Sequence, residues 1–563
     1  MLDRSFHDHI DVGFAWDLVE RLATEPRERP GETRRGAEIL ADRLRAAGIP
    51  VTMHEPTLFL SLPGPASVEI GEKRLNAKPP AFSASVPQGL SAPMVHMTAS
   101  GREFARHRRL DPTRYRGKIV VTEGISLPLL TSEIEEMGAV GIIAVNPGER
   151  IHWSTASTIW GTPGVDAVGQ LPKIPSAAVN RRDGDAVLAA ARSGETATLR
   201  TELEQGWFAQ KLPVVHIDGA IEPDRFVLLH GHYDSWQVGV GDNGTGNACM
   251  LEVARVLWNN RHKLRRSVRI AWWPGHSTGR YAGSTWFADA FALDLDRNCL
   301  AQINCDSPGC RWATSYHDTR SFSECGALAT QAIRDIVPDA EVATHRPPQA
   351  GDYSFNNIGL PSFFMLSSTM PNALREEKGY YDVSGCGGNI AWHTENDRLE
   401  IADRDILLTD MKIYLLSALR IANAEVLPFD WSATCDEFLT AIARYEKSSQ
   451  GMADLSPSRR ATETLRAALA RLDAAPVAAR NPVLMELARI LVPLNYTREP
   501  RFRHDPAYTV PRLPTLAVAA DLPQFEDAHE RRCAAVELTR GQNRFLAAME
   551  RARRLVDTAT GRQ

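Results

Sequence analysis

Short apolar runs alternate with helical patterns through the middle of the chain. The apolar runs begin at Phe226, Ser267 and Cys299 and read FVLL, SVRIAWW and CLAQINC. Helical patterns fill Asn243–Asn260 and Ser284–Ala292. Because strands that alternate with helices usually pair in parallel, the pattern predicts an α/β fold: a mostly parallel mixed sheet with helices on both faces.

The pattern changes on both sides of this central region. Residues 31–56 predict an amphipathic helix that ends at Gly48, followed by a strand, whereas 58–201 consist of short β-rich runs broken by Gly and Pro. Beyond Pro428, apolar residues recur three or four positions apart, which indicates helices. A chain of 563 residues is also too long for a single core. We therefore predict a catalytic domain made of residues 1–57 and 206–425, an insert of 58–205 and a helical domain of 426–563.

Residues that can bind metals follow the predicted strands. They are His232, Asp242, His276, Asp306 and His393. The carboxyl ends of parallel strands meet at one edge of a sheet, so we expect these side chains to converge. Three imidazoles and two carboxylates suit Zn, Fe, Mn, Co or Ni without any thiolate. Asp234, two residues after His232, is placed to orient an imidazole; the structural alternative is a helix cap at Asp242 and a core histidine at His232.

Six segments carry a resemblance to a known family, in that family's order and at about its spacing. They read GHYDSW, GDNGTGNA, YAGSTWFAD, INCDSPG, GDYSFNNIGLPSF and WHTENDRLE. The chain resembles the zinc aminopeptidase and glutamate carboxypeptidase family, and most of all the branch of glutamate carboxypeptidase and the transferrin receptor. The resemblance implies two zinc ions at the edge of an α/β sheet. It also implies a protease-associated insert and a C-terminal helical domain that builds a homodimer.

The ligand sets follow from the resemblance, position by position. One ion would take His232, Asp242 and Asp306, and the other would take Asp242, His276 and His393. Asp234 would be the carboxylate that fixes the geometry. Because Asp242, His276 and His393 form a two-histidine, one-carboxylate set, Fe(II) or Mn(II) is an alternative to zinc.

The chain departs from the family at the catalytic Glu-Glu pair, where it reads Gly275-His276. His276 retains a ligand atom, but Gly275 has no side chain to act as general base, a role that contributes on the order of 10²–10⁴-fold to rate. The candidate replacements are His230, Glu395 and Tyr353, together with Asp397 and Asp352 in the same two loops. His230 shares a strand face with His232 because strand side chains repeat every two residues. For each candidate the alternative is an ordinary packed or paired side chain.

Composition and charge exclude several classes of protein. A net charge of −5 and 43% hydrophobic residues are ordinary for a globular protein and give no sign of nucleic-acid binding. The N-terminal segment lacks the apolar core of a signal peptide, and no run approaches the 18 apolar residues of a membrane span. Eight scattered cysteines form neither a disulfide framework nor a zinc knuckle, so we expect reduced thiols and a cytoplasmic protein.

These observations support one main hypothesis and two alternatives. We expect an atypical metallohydrolase that cleaves a small peptide-like or amide C–N bond with water activated by one or two zinc ions. Arg280 and Tyr281 are candidate substrate contacts, since an Arg can hold a carboxylate with two hydrogen bonds; a solvated Arg at a helix start is the alternative. The rival functions are a non-catalytic dimeric binding protein on a peptidase scaffold and a metal-dependent lyase. Trp392 stands where the glutamate carboxypeptidase branch has a Tyr, so acidic specificity is not expected to carry over.

Overall fold

The computed structural model describes residues 5–98 and 111–561. The strands in this part of the chain are β1 (Thr52–His54), β2 (Thr57–Ile70), β3 (Lys73–Ala77), β4 (Leu90–His96), β5 (Ile119–Glu123), β6 (Gly141–Val145), β7 (Ser176–Val179), β8 (Thr196–Ala209), β9 (Leu212–Ile217), β10 (Glu222–His232), β11 (Arg266–Trp273), β12 (Cys299–Asn304), β13 (Tyr316–Arg320), β14 (Val342–His345) and β15 (Ser362–Phe363).

The α-helices of the same residues are α1 (Val12–Leu22), α2 (Pro30–Ala46), α3 (Pro128–Glu136), α4 (Arg181–Ser193), α5 (Thr245–Asn259), α6 (Ala282–Ala290), α7 (Ala292–Asn298), α8 (Gly326–Ile336), α9 (Asn372–Glu377), α10 (Arg404–Ala422), α11 (Trp431–Ser448), α12 (Ser456–Leu469), α13 (Val477–Tyr496) and α14 (Ala528–Ala559). None of these helices combines the length and the apolar character needed to cross a lipid bilayer.

The central sheet is mixed and has helices on both faces. Its strand order is β1-β9-β11-β10-β12-β15, in which the last four pair in parallel and the first two antiparallel. Val227 and Leu229 of β10 pack with α1, α2, α5 and α10, whereas Phe226 and Leu228 pack with α6 and α7. Alternate residues of a strand face opposite sides, so an apolar run buries both faces. The predicted fold class is therefore confirmed.

Two predicted helices differ in their bounds from those observed. The helix expected from Asn243 begins at Thr245, because Asp242 and Asn243 have extended φ angles of −126° and −133°. The helix expected over Ser284–Ala292 is divided into α6 and α7 at Phe291. The first difference matters for function, since it leaves Asp242 on a loop rather than in a helical turn.

A second sheet lies between β1 and β9 in the chain. Its order is β3-β2-β8-β4-β5-β6-β7, and the long β2 and β8 run antiparallel for most of their length. Strands β4 to β7 pair in parallel, with α3 between β5 and β6, and α4 connects β7 to β8. These strands extend from Thr57 to Ala209, close to the 58–205 predicted for the insert; the domain boundaries themselves stay a prediction.

Helices α11 to α14 follow the central sheet and pack against one another. Phe438 of α11 and Phe545 of α14 have ring centroids 6.0 Å apart in their shared core. Both helices begin after an aspartate, Asp430 and Asp527, whose side chain accepts hydrogen bonds from the first free N–H groups. The helical character expected beyond Pro428 is observed.

Candidate metal centre

Three neighbouring parallel strands bring the first candidate ligands to one edge of the central sheet. His232 is the last residue of β10, His276 lies three residues after β11, and Asp306 lies two residues after β12. The order β11-β10-β12 places these ends side by side. Asn243 fastens two of them, because its amide donates to the carbonyls of His232 and Cys305, 3.1 and 2.9 Å away. The expected convergence at the carboxyl ends is thus found.

Asp242 lies between two histidines. Its Oδ1 is 3.0 Å from Nε2 of His232, and its Oδ2 is 3.1 Å from Nε2 of His393. Asp306 Oδ2 approaches His232 Nε2 to 3.7 Å. Two ligand atoms on one tetrahedral zinc lie roughly 3.3 Å apart, given bonds of about 2.0 Å. These distances would allow both oxygens of Asp242 and the two Nε2 atoms to act as metal ligands.

Main-chain carbonyls hold the second nitrogen of both histidines. His232 Nδ1 donates to the carbonyl of Asp234 at 2.9 Å, and His393 Nδ1 donates to the carbonyl of Trp153 at 2.9 Å. Since a carbonyl only accepts, each Nδ1 carries a proton, and Nε2 is the nitrogen left to bind a metal. Trp153 belongs to the region between β6 and β7, so the second sheet's segment supports a ligand of the first.

The carboxylate of Asp234 has a different role from the one expected. It lies 3.9 Å from His232 Nδ1, too far for a hydrogen bond, and instead accepts the backbone N–H groups of His276 and Ser277 at 3.0 and 3.1 Å. We therefore correct the prediction that this carboxylate orients an imidazole. Asp234 fixes the turn that carries His276.

His276 lies beside His232 and Asp306. Its ring stacks on that of His232 with centroids 3.9 Å apart, and one ligand atom from each of His232, His276 and Asp306 lies within 4.8 Å of the others. His276 Nδ1 lies 3.0 Å from Oδ2 of the buried Asp352, which leaves Nε2 as its free nitrogen. His276 thus lies near His232 and Asp306, and the ligand grouping implied by the resemblance stays a prediction.

Three buried residues support the site in ways that the sequence did not predict, since the two acids among them were considered only as replacement bases. They are Arg27, Asp352 and Asp397. Asp397 accepts the backbone N–H groups of Gly241 and Asp242 at 2.6 and 2.9 Å. All three lie outside regular strands, so no periodic pattern marks them. The acidic side chains were visible only as members of polar loops.

Arg27 secures the loop that joins His232 to Asp242. Its guanidinium donates to the carbonyls of Tyr233, Val238 and Gly239 at 2.7, 2.7 and 3.1 Å. Two further bonds reach carbonyls of its own segment. Burial lowers the pKa of Arg27 to about 10, and the nearby carboxylates oppose that shift. The side chain is a buried cation beside the acidic cluster.

Charges within the cluster overcome the effect of burial. Burial alone would raise the pKa of Asp242, but the imidazoles of His232 and His393 hold it well below its ordinary value. Burial alone would lower the pKa of His232, but the carboxylates of Asp242 and Asp306 raise it well above that value. Burial raises the pKa of Asp397 to about 7. The space among these carboxylates thus favours a positive charge, which a divalent ion supplies.

The donor atoms fit such an ion. Nε2 of His232 is buried and makes no hydrogen bond of regular geometry, although carboxylate oxygens surround it. Imidazole nitrogens and carboxylate oxygens are the ligands of zinc and of several other first-row metals. The residues that would hold metal are His232, Asp242, His276, Asp306 and His393.

A cavity of about 200 Å³ opens onto four of these residues. Asp242, His276, Asp306 and His393 line its floor with Arg280 and Tyr281, and its other walls include Ile125, Leu127, Trp236, Met365 and Trp392. Burial raises the pKa of Tyr281, opposed by Arg280, so the phenol stays protonated at neutral pH. The cavity is small and largely apolar, and residues of the second sheet's segment close one side of it.

The lining of this cavity does not include the candidate bases His230, Glu395 and Tyr353. Both ring nitrogens of His230 are engaged, one with Gln302 at 2.9 Å and one with the indole N–H of Trp273 at 3.0 Å. Glu395 forms an ion pair with Lys78 at 2.6 Å. Tyr353 is 1% exposed and lies against Phe322. The structure gives each the ordinary packed or paired role, and the lining described here includes no glutamate.

Comparison with known sequences places the central segment in a family. Residues 214–415 match the profile described as peptidase family M28. This segment belongs to peptidase family M28. It contains β10 to β12 and all five candidate ligands, so the family match and the geometric cluster fall on the same residues.

Curated relatives match over different lengths of this chain. A probable glutamate carboxypeptidase VP8 of Zea mays is 25% identical over 468 residues, which are 72% of this chain and 65% of that protein. The aminopeptidase NAALADL1 of Mus musculus is 40% identical over 94 residues, 16% of this chain and 12% of its own. Transferrin receptor protein 1 of Gallus gallus is 35% identical over 103 residues, 17% and 13%. The chain thus spans less than two thirds of each relative.

Solved structures share the fold. An aminopeptidase from Aneurinibacillus sp. strain AM-1 superposes with a TM-score of 0.55 at 18% identity, covering 75% of this chain and 96% of that one. A peptidase M28 precursor from Shewanella amazonensis gives 0.56 at 19%, with coverage of 76% and 97%. The zinc aminopeptidase of Bacillus subtilis gives 0.54 at 18%, with 72% and 94%. At these identities the likeness concerns architecture.

Proposed function

We propose that the protein is a metal-dependent hydrolase that cleaves an amide or peptide-like C–N bond in a small substrate, with zinc as the metal. The observation that carries the proposal is the position of Asp242, whose two oxygens lie 3.0 and 3.1 Å from the free nitrogens of two histidines at the floor of a cavity. A carboxylate shared in this way suits a two-ion site, and the M28 match supports the reaction class.

The protein's own residues hold and orient the metal ligands, and they exclude water from the cavity. A bound divalent ion supplies Lewis acidity, which polarises a carbonyl and makes water more acidic. The carbonyls of Asp234 and Trp153 keep the protons of His232 and His393 on Nδ1, so both Nε2 atoms face the centre. Trp236 and Trp392 keep much of the cavity apolar, which strengthens electrostatic interactions inside it.

We assign His276 to the ligand set through Nε2. Asp352 accepts the proton of Nδ1 at 3.0 Å, and Ser284 Oγ donates to the other oxygen of Asp352 at 2.7 Å. This arrangement is the carboxylate–histidine pair that commonly fixes a metal-binding imidazole. The absence of a glutamate base is part of the proposal, and it predicts a slower enzyme than one with a positioned base.

Elemental analysis of the purified protein, combined with an amide-hydrolysis screen, tests the function. We expect one or two equivalents of zinc per chain and release of amine from aminoacyl p-nitroanilides or short N-acyl amides. Asp242→Asn should lose both metal and activity. Metal without hydrolysis would support the binding protein, and release of an unsaturated product without uptake of water would support the lyase. A protein that binds no zinc, iron, manganese, cobalt or nickel would contradict the proposal.

Assembly and location remain proposals of the same kind. We propose a cytoplasmic homodimer built through the C-terminal helices, since closed two-fold dimers are the commonest assembly and the eight cysteines form no disulfide in the residues described. No nucleic acid or membrane partner is proposed. Light scattering at micromolar concentration should give twice the chain mass of 62.2 kDa; a monomer mass would contradict the dimer.

A further inference from the structure

The turn Arg280-Tyr281 has an uncommon backbone conformation at the edge of the cavity. Both residues lie in the left-handed region, with φ of 48° and 73°, where residues other than Gly are rare. Such conformations persist only where the surroundings hold them, and they cluster at functional sites. The turn is held on both sides: the Gly161 N–H donates to the carbonyl of Arg280 at 2.6 Å, and the Tyr281 N–H donates to that of His276 at 3.0 Å.

The phenol of Tyr281 is fixed in place within the cavity. Its ring lies 5.0 Å from that of His276 and 5.2 Å from that of Trp160, and the side chain is 4% exposed. Arg280 Nη1 donates a hydrogen bond to the phenol oxygen at 2.7 Å, while Arg280 Nη2 donates to the carbonyl of Ala507 at 2.6 Å. The guanidinium is therefore anchored, and it in turn anchors the phenol.

A phenol both donates and accepts. The Tyr281 oxygen accepts hydrogen bonds from the guanidinium of Arg280, a cation whose field polarises the O–H bond, and from the backbone of Gly351. Neither of these bonds uses the hydroxyl proton. The two residues line the cavity together with His276 and Asp306. A donor in this position can only be satisfied by something that enters the cavity.

We propose that the Tyr281 hydroxyl donates a hydrogen bond to the carbonyl oxygen of the scissile amide, and that Arg280 is the positioning residue for that hydroxyl. The proposal rests on the hydrolase function proposed above. It assigns the residue that stabilises the negative charge which develops on the substrate oxygen, an effect that depends on preorganised donors in a water-poor site.

The chemical step balances with water as the only co-reactant. The oxygen of water bonds to the carbonyl carbon, and the π electron pair moves onto the carbonyl oxygen, which accepts the Tyr281 hydrogen bond. When that pair returns, the C–N bond breaks and the nitrogen leaves with a proton that came from water. The products are a carboxylic acid and an amine, and Tyr281 keeps its proton throughout.

Tyr281→Phe tests the assignment because it removes only the hydroxyl oxygen. We expect kcat to fall about 100-fold, the size of effect seen when one oxyanion donor is removed. KM and the metal bound per chain should change less than about twofold, since a transition-state donor adds little to ground-state binding. Tyr496→Phe is the matched control: Tyr496 is also buried, lies beside an arginine (Arg346, 3.8 Å from its ring) and is remote from the cavity lining.

A second measurement does not depend on knowing the substrate. Inorganic phosphate is a tetrahedral oxyanion, and its affinity for the zinc-loaded protein is measured by titration calorimetry. We expect roughly tenfold weaker binding by Tyr281→Phe and no change in Tyr496→Phe. An unchanged kcat in Tyr281→Phe would overturn the assignment, as would an unchanged phosphate affinity when the wild-type protein is inactive. A wild-type protein that binds no metal overturns the hydrolase proposal, and the assignment of Tyr281 falls with it.

Discussion

His276 contacts two groups that determine what its imidazole can do. One face stacks on His232 at 3.9 Å, and Nδ1 meets the carboxylate of Asp352 at 3.0 Å. A histidine held by a buried carboxylate is a stronger ligand with a fixed ring plane. At the scale of single residues, substitutions of His276 and Asp352 are therefore the most direct test of the metal centre.

His276→Ala should lower the metal bound per chain and abolish activity while the fold survives. Asp352→Asn retains the shape but exchanges a charged acceptor for a neutral amide, so we expect metal affinity about 10–100-fold weaker. Both values come from elemental analysis and competition with a chelator, and circular dichroism checks the fold. Unchanged metal content in His276→Ala would remove His276 from the ligand set.

Gly275 is the other residue in the substituted pair. Its φ is 67°, and a Cβ placed there would lie 3.0 Å from Leu60 Cδ2 and 3.5–3.6 Å from Ala282 and Leu58. The Cβ of a side chain at this position would meet an apolar cluster. A Glu at position 275 would therefore combine a left-handed backbone with apolar neighbours.

Gly275→Glu, alone or with His276→Glu, should destabilise the protein by about 2–4 kcal/mol, because it combines left-handed backbone strain with a buried carboxylate. It should create no peptidase activity. Gly71→Glu is the control, since Gly71 has a φ of 56° in open space and tests the strain alone. Urea unfolding measures the difference, and a gain of peptidase activity in the Gly275 variant would contradict the geometry.

Strand ends and loops both contribute residues to the site. The sequence predicts the positions of the strand ends but not the contacts made by the loops. His232 and Asp306 were predictable because apolar runs locate the ends of β10 and β12, and parallel pairing brings those ends together. The grouping of His276 was not, since it depends on a ring stack and on a carboxylate 76 positions away. Arg27 precedes β1 and lies far from the ligands in the sequence. No periodic pattern of residues connects it to them.

Arg27 makes five hydrogen bonds to carbonyls, and three of them hold the β10–α5 loop. A lysine offers three donors from one point and cannot match the planar arrangement. Arg27→Lys should therefore cost about 2–4 kcal/mol of stability and weaken metal binding at least tenfold, because the loop positions Asp242.

Arg489 provides a matched control for this prediction. It is also fully buried and donates to the carbonyls of Leu295, Asp296, Gly359 and Cys299, away from the centre. Arg489→Lys should lose comparable stability and keep its metal affinity. Urea unfolding and a metal titration of both variants decide the matter. Equal losses of metal affinity would show that Arg27 acts only through overall stability.

At the scale of the whole molecule, a buried acid joins the central region to the C-terminal helices. Glu324, just before α8, accepts a hydrogen bond from Thr434 of α11 at 3.1 Å, and its backbone carbonyl accepts from Asp430 at 3.0 Å. Burial raises the pKa of Glu324 to about 8. The folded protein therefore keeps this carboxyl protonated over a range where the unfolded chain ionises it.

The raised pKa of Glu324 makes the stability of the folded protein depend on pH. The stability due to protonated Glu324 is fully present below the unfolded pKa of 4.5 and is lost as pH rises through about 8. Glu324→Gln removes this dependence. Its free energy of unfolding relative to wild type should therefore rise from pH 5 to pH 8 by up to ~1.4 kcal/mol per pH unit, and its melting temperature relative to wild type should rise with it. Glu377→Gln, at an exposed position of α9, should show no such trend. A flat difference for Glu324→Gln would contradict the raised pKa.

The bond between Trp153 and His393 has a consequence for synthesis of the chain. The carbonyl and the imidazole that it joins are 240 positions apart, and the bond from Arg27 to Tyr233 spans 206 positions. A growing polypeptide has its first histidine ligand long before its last, and contacts of such sequence separation form slowly. The complete centre can therefore arise only after the ribosome has passed residue 393 and the earlier segments have docked. A half-made chain would carry isolated ligands and no complete centre.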